Sequence, residues 1–272
     1  MGAGLSSSAA FETIIGTIIS GLYNNMKIDS VEIGKVGQYA ENVFFGKPCG
    51  LMDQCACSVG GLISIDFKDP EKPVVNQVKV DFSEFNHSLC IVDTKANHAD
   101  LTDEYAAVPE EMKRVARCLG KQFLREVDEK EFYDQIDLVR SVCRDRAVLR
   151  AIHFFNENKR PVKLVNALES GDFDTFKAII KESGNSSYKY LQNVYANSDV
   201  LNQAVSIALC MSEMILENHG VCRVHGGGFA GTIQAFVEDD FVEEYRSQIE
   251  KVFGKGTCHV LKITKYGGKK VI

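Results

Sequence analysis

A chain of 272 residues with 45% apolar and 25% charged side chains has the composition of a soluble globular protein of one or two domains. Its net charge of −6 argues against general binding to nucleic acid, which needs a basic surface. No apolar run reaches the roughly 18 to 20 residues of a membrane span, and no secretion signal is visible. The scattered cysteines predict reduced thiols and a cytoplasmic location.

The first part of the sequence predicts helices separated by a loop rich in glycine and proline. Apolar residues recur at helical spacing after the serines at 6–8, and this helix ends near 24–25. A second helix is predicted over 30–44, a loop over 45–50 and a short helix over about 51–58.

The rest of the sequence predicts strands and helices in separate runs. Strand patterns occupy 62–67 and 74–92, and amphipathic helices follow at 103–120, 139–159, 161–183 with an interruption at Gly171, and 199–218. The sequence then predicts strand, glycine cluster, strand, helix and strand between 221 and 264. This segregation predicts an α+β fold rather than a doubly wound sheet. Turn residues at 82–88 place a domain boundary there, giving domains 1–82 and 83–272.

The first nine or ten residues have the chemistry of a phosphate-binding loop. Glycines let backbone N–H groups approach an anion, and the positive end of the following helix faces the same place. The Walker pattern with its lysine is absent from the chain. The alternative is a flexible terminus with an ordinary serine N-cap. The residues of this predicted loop are Gly2, Ala3, Gly4, Leu5, Ser6, Ser7 and Ser8.

Two carboxylates flank the loop at 45–50. Asp53 follows it in an apolar setting, where a carboxylate can accept a hydroxyl proton. Glu41 lies on the preceding helix and can reach a hydrated Mg²⁺, which takes one or two carboxylates together with phosphate oxygens. The alternative is that Asp53 caps a helix and Glu41 is a solvated surface residue.

Three segments in this order resemble one family of kinases. GAGLSSSAA, from residue 2, resembles the second signature of the galactokinase, homoserine kinase, mevalonate kinase and phosphomevalonate kinase superfamily. ENVFFGKPCGLMDQ, from residue 41, resembles a segment specific to the galactokinase family, and RVHGGGFAG, from residue 223, resembles the third signature. The resemblance implies a two-domain sugar-kinase architecture whose C-terminal domain is ferredoxin-like.

The resemblance also implies roles for individual residues. The loop from Gly2 to Ser8 would hold the ATP phosphates, with Ser8 and Glu41 binding Mg²⁺ directly or through water. Asp53 would face the anomeric hydroxyl of the sugar as general base or electrostatic anchor. Gly50, through its backbone, and Tyr105, through its hydroxyl, would contact the sugar.

The glycine cluster at 226–231 satisfies G-x-G-x-x-G, the dinucleotide fingerprint, but it precedes a strand instead of opening a helix. A tight β-turn is the plainer interpretation, and the resemblance would place that turn near nucleotide and sugar. His225 and Ala230 stand where the family has threonine and glycine.

The family's N-terminal signature, with residues that grip the sugar and the transferred phosphate, is not found in this sequence. We therefore expect a fragment, a truncated product or one half of a two-chain arrangement, with little or no turnover alone. We also expect the helix after Ser8 to expose its apolar face and the chain to be marginally stable.

The function implied is phosphorylation of D-galactose at its anomeric hydroxyl by MgATP. Two alternatives stay open: a related sugar 1-kinase, and a non-catalytic relative that senses sugar and ATP. No partner other than these small molecules is implied, apart from an N-terminal segment supplied as a separate chain.

Overall fold

The structure is a computed structural model and describes residues 6–46, 49–96, 101–229 and 231–271. It divides into two compact units: unit 1 is Met1–Phe82 with Lys262–Ile272, and unit 2 is Ser83–Leu261. The sequence assigned the residues from Lys262 onward to the second domain, whereas the structure groups them with unit 1. The functional assignment of the two predicted domains stays a prediction.

Unit 1 consists of a helical cluster and a two-stranded antiparallel sheet. Its elements are α1 (Ser7–Asn24), α2 (Ser30–Tyr39) with a π-helical turn (Ala40–Phe44), α3 (Met52–Val59), β1 (Ile63–Asp66) and β2 (Val74–Gln77). Asp29 starts α2, because its side chain accepts a hydrogen bond from the N–H of Glu32 at 2.9 Å. Gly34 lets α2 approach α3 closely, since a Cβ there would lie 3.3 Å from the backbone nitrogen of Cys55.

The buried face of α1 is made of small and hydroxyl-bearing residues: Ala9, Thr13, Thr17 and Ser20. The Thr13 hydroxyl donates to the Ala9 carbonyl and that of Thr17 to the Thr13 carbonyl, each at 2.8 Å, so these polar groups are satisfied within the helix. The opposite side, which we call the α1 apolar face, consists of residues that are each 40–72% exposed. Its members are Phe11, Ile14, Ile15, Ile18, Ile19 and Leu22. The expected exposure of this face is therefore present in the structure.

This exposure predicts strong binding of an apolar fluorescent dye. Replacing Ile14 and Ile18 together with Gln is expected to lower the dye fluorescence at least about twofold, because it removes part of a contiguous apolar patch. The melting temperature is expected to change by no more than about 2 °C, since neither side chain is buried. Val200→Gln, the same kind of change at an exposed residue of unit 2, serves as the control. Undiminished fluorescence in the double variant would show that the dye binds elsewhere.

Unit 1 is completed by the segment that follows unit 2. The Gly61 N–H donates to the Thr264 carbonyl at 2.8 Å, and the Gly267 N–H donates to the Val59 carbonyl at 3.2 Å. Gly60, at φ +74°, lies so close to Gly267 that a Cβ would overlap the backbone there. The C-terminal segment is thus packed against the connection between α3 and β1.

Unit 2 contains a four-stranded antiparallel sheet with the strand order β4-β5-β3-β6. The strands are β3 (His87–Asp93), β4 (Gly220–Val224), β5 (Thr232–Glu238) and β6 (Cys258–Leu261). With the helices between β3 and β4, and one helix between β5 and β6, the chain follows the βαββαβ path of a ferredoxin-like fold. The predicted α+β class and ferredoxin-like domain are confirmed.

Helices of unit 2 contribute to two hydrophobic cores. The helices of this unit are α4 (Thr102–Cys118), α5 (Glu129–Asp134), α6 (Ile136–Cys143), α7 (Asp145–Glu157), α8 (Arg160–Glu169), α9 (Phe173–Ser186), α10 (Ala204–Leu216) and α11 (Val242–Phe253). One core joins the sheet to α10 and α11. The other lies among α4, α5, α6 and α7. Within the described residues, no helix combines the length and apolarity needed to cross a bilayer.

Candidate active site

The first turn of α1 and the first turn of α3 meet at one point of unit 1. Ser6 precedes α1 with a left-handed backbone (φ 50°, ψ 43°), and its side chain does not cap the helix. Its hydroxyl instead donates to Oδ2 of Asp53 at 2.6 Å. The ordinary serine N-cap offered as an alternative is therefore absent at Ser6. Gly2, Ala3, Gly4 and Leu5 lie outside the described residues, so their phosphate-binding role stays a prediction.

Asp53 is the acidic residue in the first turn of α3, which is a favourable place for a negative charge. The N-cap position belongs to Leu51, and no side chain caps this helix. The capping role that was the alternative for Asp53 is thus not seen. The carboxylate is half-buried and accepts a short hydrogen bond, so it is held in one orientation at the rim of a cavity.

That cavity, of about 230 Å³, brings together predicted residues from four segments: Ser8, Glu41, Gly50 and Asp53. Ala9, Cys49, Met52 and Gln54 complete its lining. Gly50 has open space beside it, because a Cβ there would meet no described atom within 4 Å. Nothing in its described surroundings requires glycine, and its predicted contact with a sugar stays a prediction.

Glu41 is not the solvated residue of the alternative interpretation, since only 4% of it is exposed. It lies in the π-helical turn Ala40–Phe44, a kind of distortion that often occurs at functional sites. Its Oε2 accepts a hydrogen bond of 3.1 Å from Nε2 of Gln54. The turn therefore directs a buried carboxylate towards α3 and the cavity.

The loop that enters the cavity is anchored at Cys49. Its N–H donates to Oδ1 of Asn42 at 2.7 Å, and its carbonyl accepts from Nε2 of Gln38 at 3.1 Å. Burial raises the pKa of the Cys49 thiol to about 11, with a further contribution from the Glu41 carboxylate. At neutral pH this thiol is therefore a neutral lining group rather than a nucleophile.

Alkylation provides a test of this pKa. At pH 7.5 we expect iodoacetamide to label Cys49 at least about tenfold more slowly than the exposed Cys210, because the thiolate is the reactive form. Labelling of Cys49 should accelerate as the pH rises towards 11, since the neutral thiol then ionises. Timed quenching followed by peptide mass spectrometry gives both rates in one sample. Equal rates at pH 7.5 would contradict the raised pKa.

The donor set of the cavity fits a hard divalent cation. Ser8 supplies a hydroxyl and Glu41 a carboxylate, and oxygen donors of this kind suit Mg²⁺, which keeps several waters and binds phosphate oxygens. Among the residues that the structure describes, no group of three or more His, Cys, Asp or Glu is arranged to hold a metal. A hydrated Mg²⁺ shared with a nucleotide does not need such a group.

Tyr105 belongs to unit 2, where it braces the glycine turn instead of presenting an unengaged hydroxyl. The hydroxyl donates to the Gly228 carbonyl at 2.9 Å. The ring meets Phe229 edge to face, with centroids 5.0 Å apart, and covers Gly227. The predicted contact of Tyr105 with the sugar would have to use the lone pairs of this oxygen, and it stays a prediction.

Asn193 is the second brace of the glycine turn, and it was not among the residues predicted from the sequence. Its carbonyl accepts from the N–H of Phe229 at 2.5 Å, and its Nδ2 donates to the Gly227 carbonyl at 3.2 Å. It lies in an irregular stretch with no recognisable motif, so no local signal marks it. His225, which replaces the family's threonine, pairs its Nδ1 with Oε1 of Gln234 at 2.9 Å. Ala230 lies outside the described residues.

Comparison with known proteins gives the same picture as the motifs. A model of the GHMP kinases N terminal domain matches residues 1–61. The galactokinase of Clostridium acetobutylicum is 31% identical over 285 residues, which covers 99% of this chain and 68% of the relative. The galactokinase of Glaesserella parasuis is 30% identical over 260 residues, covering 94% of this chain and 64% of the relative. The chain thus spans roughly two thirds of the length of these relatives.

Solved structures with a similar fold include two kinases. Lactococcus lactis galactokinase complexed with galactose has a TM-score of 0.78 at 23% identity, covering 100% of this chain and 68% of that one. The mevalonate kinase of L. major, in complex with R-mevalonate, has a TM-score of 0.60 at 15% identity, covering 94% of this chain and 65% of that one. At these identities the likeness supports the fold, and the α+β architecture agrees with it.

Proposed function

Because the chain belongs to the galactokinase family, we propose that the protein transfers the γ-phosphoryl group of ATP to the anomeric hydroxyl of D-galactose, giving galactose 1-phosphate and ADP. The observation that carries this proposal is the 2.6 Å hydrogen bond from Ser6, at the start of the predicted phosphate-binding helix, to Asp53. It puts a carboxylate beside the place where the helix would receive a phosphate.

In this proposal each group of the site has a limited task. The N-terminal end of α1 and its serine hydroxyls bind phosphate oxygens. Asp53 accepts the hydrogen bond of the sugar hydroxyl and takes its proton as the oxygen bonds to the γ-phosphorus and the bond to ADP breaks. The Ser6 hydroxyl keeps the carboxylate oriented for that contact.

Ser8 and Glu41 are the residues that would hold Mg²⁺, which when bound neutralises charge on the phosphate oxygens. Tyr105 and the glycine turn of unit 2 are proposed to contribute to the sugar and nucleotide sites. We further propose a cytoplasmic location, which is supported by the fact that all nine cysteines are free thiols.

The direct test is ADP release from MgATP in the presence of D-galactose, with ³¹P NMR to identify the product. Galactose 1-phosphate as the product would support the proposal. Faster turnover with N-acetylgalactosamine or arabinose than with D-galactose would identify that sugar as the substrate instead. Tight binding of galactose and MgATP in calorimetry without any turnover would favour the alternative of a non-catalytic protein that senses sugar and ATP. The same result would also fit a chain that needs further residues for catalysis. Failure to bind either ligand would overturn the proposal.

A further inference from the structure

Gln54 follows Asp53 on α3, and its amide lies between two carboxylates. The side chain is buried, with 1% of the residue exposed. Nε2 lies 3.1 Å from Oε2 of Glu41 and 3.4 Å from Oε2 of Glu12, and these residues come from the π-helical turn and from α1. A third neighbour is the Sγ of Cys49 at 3.5 Å. One amide nitrogen therefore links three separate segments that surround the cavity.

The orientation of this amide follows from its neighbours. Ionised carboxylates only accept hydrogen bonds, so the NH₂ group has to face Glu12 and Glu41. The carbonyl oxygen, Oε1, must then point the other way. Oε1 is buried and has no hydrogen-bond partner in the part of the chain that the structure describes. Burying an acceptor without a donor is unfavourable, so its persistence calls for a reason.

The two carboxylates supply that reason, because turning the amide to satisfy Oε1 would withdraw Nε2 from Glu41 and Glu12. The side chain of Gln54 lines the same cavity as Ser8 and Asp53. Ser8 and Glu41 have the oxygen chemistry that holds a hydrated divalent cation.

We propose that Gln54 is a positioning residue for the cation that accompanies the nucleotide. Nε2 fixes the Glu41 carboxylate through one of its oxygens and offsets its repulsion with Glu12. This inference rests on the proposed function only in requiring that nucleotide and divalent cation bind in unit 1, and it holds for any sugar.

The test uses Mn²⁺ as the probe, because its EPR signal reports the free ion. The whole chain is titrated with Mn²⁺ in the presence of adenylyl imidodiphosphate, a non-hydrolysable ATP analogue. Gln54→Met keeps the volume and removes both polar atoms, so the affinity for Mn²⁺ is expected to fall about tenfold or more. Gln38→Met is the matched control, because Gln38 anchors the same loop by donating a hydrogen bond to the Cys49 carbonyl.

A second variant covers the case in which Gln54→Met does not fold. Gln54→Asn keeps the amide but is one methylene shorter, so it cannot bridge Glu12 and Glu41, and its Mn²⁺ affinity should also fall several-fold. Thermal melting establishes that each variant is folded. The inference is overturned if the wild-type chain binds no Mn²⁺ with the analogue, if folded Gln54 variants bind it within twofold of wild type, or if Gln38→Met weakens it equally. A different outcome would separate the two proposals. If the wild-type chain binds Mn²⁺ with the analogue, the Gln54 variants bind it more weakly, and no sugar is phosphorylated, the proposed function is wrong and this inference stands.

Discussion

Replacing Asp53 with asparagine is expected to lower kcat for sugar phosphorylation by about 100-fold or more, which is the usual contribution of a positioned general base. The asparagine side chain has the same shape, and its amide oxygen still accepts the Ser6 hydrogen bond. It cannot take a proton, however, and it removes the negative charge beside the attacking hydroxyl. KM for MgATP should change much less, since the proposed function assigns phosphate binding to α1. Steady-state ADP release with varied sugar and varied nucleotide measures both effects.

Asp69→Asn is the control for this experiment, because it makes the same change of charge in an exposed turn of unit 1. There the Asp69 carboxylate accepts a turn hydrogen bond of 3.0 Å from the Glu71 N–H, and Asp69 is not among the residues that line the cavity. The kcat of the Asp69→Asn variant should match that of wild type. An Asp53→Asn variant that keeps kcat within about fivefold of wild type would show that this carboxylate does not act in the chemical step.

The largest expected effect on stability comes from Gly228→Ala. Gly228 has φ +79°, and a Cβ there would overlap the carbonyl oxygen of Asn193. The carbonyl is not free to move, because it accepts the hydrogen bond from the Phe229 N–H. We expect a loss of about 3 kcal/mol in the free energy of unfolding, combining left-handed strain with overpacking. Urea denaturation followed by circular dichroism measures this change.

Gly226→Ala isolates the part of this effect that comes from strain alone. Gly226 also has a positive φ, +59°, but a Cβ there would have nothing within 4 Å. Its expected loss is about 1 kcal/mol. If the two alanine variants lose the same free energy of unfolding, the close approach of Asn193 to the turn does not add to the cost of a Cβ at Gly228. If Gly226→Ala is the worse of the two, the bracing role assigned to Asn193 is wrong.

Local sequence patterns predicted most of the helices and strands because their apolar residues recur at regular spacing. The pattern over 139–159 did not show the break between α6 and α7, where Arg144 adopts φ +74°, because an arginine gives no signal for that conformation. The short helix α5 was missed for a different reason. Glu129–Asp134 spans less than two turns, which is too short for periodicity to appear.

The site was predictable to the extent that its residues fall within motifs. Motif resemblance selected Ser8, Glu41, Gly50 and Asp53, and the structure places them around one cavity. Contacts between distant segments were not predictable in this way. The hydrogen bond between Ser6 and Asp53 depends on how α1 packs against α3, and no pattern within either segment encodes it. The linking role of Gln54 is of the same kind.

The discontinuity of unit 1 also bears on how the chain folds during its synthesis. Domains generally form in the order in which they leave the ribosome. Here Gly60 and Gly61 must wait for the segment that begins at Lys262, and the whole of Ser83–Leu261 is translated in between. At about 5–20 residues per second this delay is roughly ten seconds or more. Throughout that interval the ribosome-bound nascent chain carries an unfinished unit 1, and chaperones that recognise apolar segments have time to reach α1 before its neighbours are complete.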